Sequence, residues 1–229
     1  MGAYPLNIGV VTAAWGDYGR WLPEWIESVR SQSLQPAQVT IVDAGMTDSV
    51  AARLAFSRAG FERYRWINLR HFRGMGHAMN TAVKATETEW ILRLDADDTL
   101  LPWALSDISS YAAEYDVVCL GAKIEGKDRF DKWISTEAVL ANRVSCFSAS
   151  AYRRSYWAQR PYLEVNDWID SAFWVGLAHL SAKFRGTRRA GFVYRKHEGS
   201  FSRTLTPDQR SEARAQLQRL SQRWDLERR

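Results

Sequence analysis

The stretch WILRLDADDTLLP, residues 90–102, passes from an apolar segment into three carboxylates and back into apolar chain. Trp90 to Ala96 reads as a strand inside a sheet, and Leu101 opens the next helix. Asp95, Asp97 and Asp98 repel one another at that spacing, so a fold must bring a counter-charge or leave them in water. The segment is therefore either a site for a cation with phosphate behind it or an acidic turn. In either case Asp98 is expected to cap the helix that starts at Leu101, which leaves Asp95 and Asp97 for a cation and phosphate.

Outward from this stretch, strand and helix signals alternate. Strands are expected at residues 7–14, 38–44, 64–69, 90–96 and 116–124, and helices at 18–32, from a Thr47 cap to about 59, at 76–87 and at 101–115. That order predicts an α/β fold: a mostly parallel central sheet with helices on both faces. The later pattern is looser. It gives a strand near 144–149 and a short helix after it, then a helix over 166–181 and a strand opening 191–203. A terminal helix over 206–224 is capped at Thr206, with Pro207 at its first position.

The 229 residues, 46% hydrophobic and 25% charged, suit one soluble domain over 1–229. Residues up to about 120 would form one half, and 121–229 a second half ending in the helix. No apolar run approaches the roughly 18 residues of a membrane span, and no secretory signal is visible. Cys119 and Cys146 sit in apolar surroundings without partners at metal-ligand spacing, which predicts buried free thiols in a cytoplasmic protein. Lys183 to Arg229 holds 13 Lys and Arg against 5 Asp and Glu. That basic quarter could hold phosphate, nucleic acid or an anionic surface, or be a solvated helix face.

Ligands of open α/β sheets bind beyond the carboxyl ends of the strands. Thr12, Asp43, Asp95 and Asp97 gather at such ends. In the bland case, Thr12 and Asp43 only cap helices. Neither G-x-G-x-x-G nor G-x-x-x-x-G-K-[ST] is present, which counts against NAD and P-loop chemistry. A crest rich in carboxylates and poor in phosphate-cradling glycines predicts a divalent ion bridging to a diphosphate.

Five blocks, in order, carry a resemblance: VVTAAW (10–15), IVDAGMTD (41–48), GMGHAMNTAVKATETEWILRLDADD (74–98), IDSAFWVGLA (169–178) and VYRKHEGSFSR (193–203). The chain resembles the GT-A glycosyltransferases of the family 2 type. That likeness implies a GT-A fold and in-line displacement, with inversion, at the anomeric carbon of a nucleotide sugar. It implies Mn or Mg as cofactor, a UDP-, GDP- or dTDP-linked donor, and a glycan, protein or nucleic-acid acceptor. Thr12, Ala13, Asp43, Asn80, Asp95 and Arg195 would bind the nucleotide, with Lys196 as an alternative to Arg195 at the diphosphate. Asp97, Asp95 and His197 would hold the metal. Asp170 would be the general base, with Asp167 in reserve or as a helix cap. Trp133, Trp157 and Trp168 could stack on a sugar or base.

The chain also departs from the pattern. Ala44 and Met46 replace polar residues of the second block, so Asp43 alone remains for base contact. Ile169 precedes Asp170 in place of the usual Glu, and Gly176 replaces an arginine. Two rival readings remain. A sugar-phosphate nucleotidyltransferase would need a Gly-rich loop with Arg after the first strand, which TAAWGDYG does not resemble. A basic nucleic-acid-binding module would work through the C-terminal quarter, where no known recognition motif occurs.

Overall fold

The apolar runs assemble into one nine-stranded sheet. The structure is a computed structural model that describes residues 6–130, 134–141, 143–144, 146–164, 168–200 and 206–227. Its strands are β1 (Ile8–Gly16), β2 (Gln38–Met46), β3 (Tyr64–Asn68), β4 (Trp90–Arg93), β5 (Thr99–Leu100), β6 (Val117–Ile124), β7 (Lys127–Arg129), β8 (Ser150–Arg153) and β9 (Phe184–Tyr194). The order is β3-β2-β1-β4-β8-β6-β9-β5, with β7 also on β6. From β3 to β4 every pairing is parallel. Beyond β4, β8 enters antiparallel to both β4 and β6, and β9 returns parallel to β6. The expected α/β architecture holds, with its parallel part concentrated on the N-terminal side.

Helices cover both faces. Val10 and Leu92 point into one apolar layer with Trp25 of α1 (Leu22–Arg30), Phe56 of α2 (Val50–Arg58) and Ile108 of α4 (Ala104–Tyr111). Their strand neighbours Val11 and Ile91 point into the other. There they meet Met79 of α3 (Met75–Lys84) and Phe173 of α7 (Ile169–His179). This two-sided burial is why β1 and β4 read as continuous apolar runs. Short helices α5 (Thr136–Leu140) and α6 (Arg154–Gln159) link the later strands. The last helix, α8 (Pro207–Glu227), buries Leu217 and Trp224 in the second layer. Thr206 and Gln209 cap it reciprocally: the Gln209 N–H donates to Thr206 Oγ1 (3.2 Å) and the Thr206 N–H to Gln209 Oε1 (2.8 Å). No helix among the described residues is long and apolar enough to cross a membrane.

Four local expectations are corrected. Cys119 and Cys146 are not free thiols but a disulfide, with Cα atoms 5.6 Å apart. Cys119 lies opposite Ser150 in the β6–β8 ladder, which brings the chain just before β8 back to it. The premise for a reducing compartment falls with the free thiols. The strand expected over 144–149 lies instead at Ser150–Arg153, after a turn closed by Ser150 N–H on the Ser148 carbonyl. Thr47 does not cap α2; its hydroxyl donates to the Gly16 carbonyl (3.0 Å), and Asp48 accepts from the Val50 N–H. Asp98 does not cap a helix either, for a reason that belongs to the site.

Candidate active site

β1 and β4 end at a cavity of about 460 Å³, within the range of small-molecule sites. β4 delivers its floor. Asp95 Oδ1 accepts from Arg93 Nε (3.1 Å) and Nη2 (2.8 Å), and Oδ2 accepts from the Ser148 hydroxyl (2.7 Å). Arg93 is itself 4% exposed, and its Nη1 donates to Asp170 Oδ1. One guanidinium thus joins the turn after β4 to the first turn of α7. Asp170 is reached through Trp168, whose backbone is left-handed (φ 46°, ψ 18°) and which lines the same cavity.

The segment after β9 closes the acidic turn from the other side. His197 Nε2 lies 3.0 Å from Asp97 Oδ2, both side chains being mostly buried. Arg195 donates from its backbone N–H to Asp98 Oδ1 (2.9 Å) and from Nε to the Asp97 carbonyl (2.8 Å). Asp98 is therefore a buried tie between two strand ends, 2% exposed, not a helix cap. Burial, with the nearby charges of Asp95 and Asp97, pushes its carboxyl well above the usual range. Burial and Asp95 also raise Asp97, against the bond to His197.

The expected site residues divide. Ala13, Asp95, Asp97 and Asp170 line the cavity, and His197 reaches it through Asp97. Thr12, Asp43, Asn80, Arg195 and Lys196 do not line it. Thr12 is buried, its hydroxyl without a partner among the described residues. Asp43 accepts from the Gly45 and Met46 N–H groups, and Arg53 approaches it at 3.7 Å. Asn80 donates to the Tyr162 carbonyl and accepts from Trp157 Nε1 and the Tyr162 N–H. The Arg195 guanidinium pairs with Glu24 over the Trp21 ring, 4.2 Å from its centroid, and Lys196 pairs with Glu125. Trp157 serves Asn80, and Trp168 faces the cavity. Asp167 and Trp133 lie outside the described residues.

The sequence reading missed Arg93, Ser148 and an aromatic pair on the cavity wall. Trp15 and Tyr18 stack at 4.6 Å with planes 20° apart. Arg93 had a signal, being a charge inside the otherwise apolar WILRL.

Among the described residues no group of three or more His, Cys, Asp or Glu gathers as a metal site. The donors present nevertheless fit a divalent cation. Asp97 and His197 offer carboxylate oxygen and imidazole nitrogen side by side, and Asp98 Oδ2 is buried without a partner.

Sheet order and a crest of strand-end carboxylates over one cavity define the GT-A fold of nucleotide-diphospho-sugar transferases. The family model of Glycosyl transferase family 2 matches residues 10–181, and the chain belongs to that family. It is 26% identical to chondroitin synthase of Escherichia coli over 147 residues, 58% of this chain and 21% of that protein. It is 32% identical to teichoic acid poly(glycerol phosphate) polymerase of Staphylococcus epidermidis over 82 residues, 35% of this chain and 11% of that one. These alignments cover about a fifth or less of either relative's length. S. aureus TarS 1-349 in complex with UDP-GlcNAc superposes with a TM-score of 0.72 at 18% identity, covering 88% of this chain and 62% of that one. Mannosyltransferase PcManGT from Pyrobaculum calidifontis in complex with GDP-Man and Mn2+ gives 0.70 at 15%, covering 87% and 59%. At these identities the likeness is one of fold.

Proposed function

We propose that the chain transfers a sugar from a nucleoside diphosphate to an acceptor hydroxyl, inverting the anomeric carbon, with Mn2+ or Mg2+ at the diphosphate. One observation carries the reading: Asp95, Asp97 and Asp170 line a single cavity. Family membership supports it, as do the UDP-GlcNAc and GDP-Man named with two structural neighbours.

In this reading Asp170 takes the proton of the acceptor hydroxyl. The acceptor oxygen attacks the anomeric carbon, and the bond to the diphosphate breaks with its electron pair passing to the departing nucleotide. Trp15 and Tyr18 offer a stacking wall for the base. Asp97 and His197 would hold the cation, and Asp95 would share it or reach the ribose. When bound, the cation supplies positive charge against the leaving diphosphate. Arg195 holds the Asp97 carbonyl in place, and Asp43 and Asn80 act as scaffold. Trp168, next to Asp170, presents a ring to the acceptor side. Acceptors remain glycan, protein or nucleic acid. The basic α8 does not favour the last, since Arg219 and Arg223 pair with Glu212 and Glu227 of the same helix.

A panel of UDP- and GDP-sugars with Mn2+ tests the reading. Asp97→Asn should lose at least about 100-fold in turnover. Asp170→Asn should lose about 10²–10⁴-fold while the donor still raises its melting temperature. Unchanged turnover in Asp97→Asn would sink the metal reading; lost donor binding in Asp170→Asn would remove that residue from the role of base.

A further inference from the structure

Arg93 is a cation in an unusual place. It ends the central strand β4, is almost wholly buried, and lies 5.9 Å from the centroid of the Tyr162 ring. A buried guanidinium is stable only when its charge and donors are met. Here they are met by two carboxylates from different elements: Nε and Nη2 on Asp95, Nη1 on Asp170. The planar fork fixes both at set angles, which a lysine ammonium cannot do. Among the described residues lining the cavity, no other Lys or Arg can replace it.

We propose that Arg93 is a positioning residue that holds the Asp170 carboxylate in register with Asp95. The proposal rests on the reading of Asp170 as the base. The contact uses Asp170 Oδ1 and leaves Oδ2 for the acceptor hydroxyl. The first turn of α7 has no side-chain cap, and the residue at its N-cap, Trp168, is left-handed. Among the described residues the polar contact on the Asp170 side chain comes from Arg93. Without that charge Asp95 and Asp170 would face one another uncompensated and move apart. The neighbouring hydroxyls offer no substitute charge. Ser148 is spent on Asp95, and Tyr152 and Tyr162 bond each other beneath the floor.

The test is a double-mutant cycle on kcat, read as nucleotide released from UDP-GlcNAc, UDP-glucose or GDP-mannose with Mn2+, whichever the wild type turns over. Arg93→Lys keeps the buried charge and should retain the fold, checked by melting temperature. It should lower kcat about 100-fold, with a much smaller rise in donor KM because Asp95 keeps its bond to Ser148. Arg93→Lys combined with Asp170→Asn should be no slower than Asp170→Asn alone, because the arginine acts through the carboxylate. If the two losses multiply, or if Arg93→Lys raises KM at constant kcat, Arg93 serves something else and the proposal is overturned. If Asp170→Asn itself turns over at the wild-type rate, the base reading falls first and the proposal with it. Should Arg93→Lys melt early, guanidinium ion should restore turnover to Arg93→Ala but not to its Asp170→Asn double variant. Restoration in both, or in neither, overturns the proposal.

Discussion

Asp98 shows what one buried carboxyl does to the whole chain. Its pKa lies well above the ordinary 3.8, because burial and then Asp95 and Asp97 oppose its charge. The folded protein therefore keeps this proton at pH values where the unfolded chain has released it. In that window the native state binds more protons, so stability falls as pH rises from near 3.8 to the raised value and is flat above. Asp98→Asn keeps an amide oxygen for the Arg195 N–H and removes the charge. In metal-free buffer, urea unfolding from about pH 4.5 to about pH 8 should show the variant losing less stability with rising pH than the wild type. Equal slopes would mean that Asp98 carries no such burden. Asp98 looked like a cap because a helix was expected to open at Leu101; α4 opens only at Ala104, and the arrival of β9 spends the carboxyl on the Arg195 N–H.

The helix α3 contributes Met75 to the cavity and packs closely on the chain before α7. Gly76 lets it approach so closely that a Cβ there would lie 1.7 Å from the Leu163 carbonyl oxygen. One turn on, Asn80 closes three hydrogen bonds to Trp157 and Tyr162. Asn80→Ala should therefore lower unfolding stability by about 1–3 kcal/mol, the cost of leaving buried partners unmade, with donor affinity unchanged in the folded fraction. Wild-type stability with lost donor affinity would return Asn80 to the nucleotide. Elements of this kind were legible to different depths. β1, β2 and β4 were readable because strands buried on both faces are unbroken apolar runs. α8 was readable because Thr206 and Pro207 mark its start. β5 and β7 were not, since two or three residues carry no period. The cysteine pairing was invisible because it depends on β8 lying beside β6. In the site, the carboxylates could be found from their spacing at strand ends. The engagement of Asn80, Asp43 and Arg195 could not, because their partners come from distant segments or from backbone geometry.

Across the molecule, the two halves expected on either side of residue 120 are interleaved in one sheet. β8 fills the gap between β4 and β6, and β5 pairs with β9. A fragment of residues 1–148 thus carries β1 to β7 but leaves β4 as an open apolar edge. Such an edge pairs with other chains. The fragment should aggregate when expressed alone; a soluble fragment that unfolds cooperatively would contradict this. The same order bears on how the chain is made. β4 is complete at residue 93, whereas its partner β8 starts at residue 150. At about 5–20 residues per second a ribosome leaves that edge open for roughly 3–11 s. The middle of the sheet is then completed after its flank. For those seconds the growing chain depends on whatever shields it, and a translational pause between β4 and β8 would prolong the exposure.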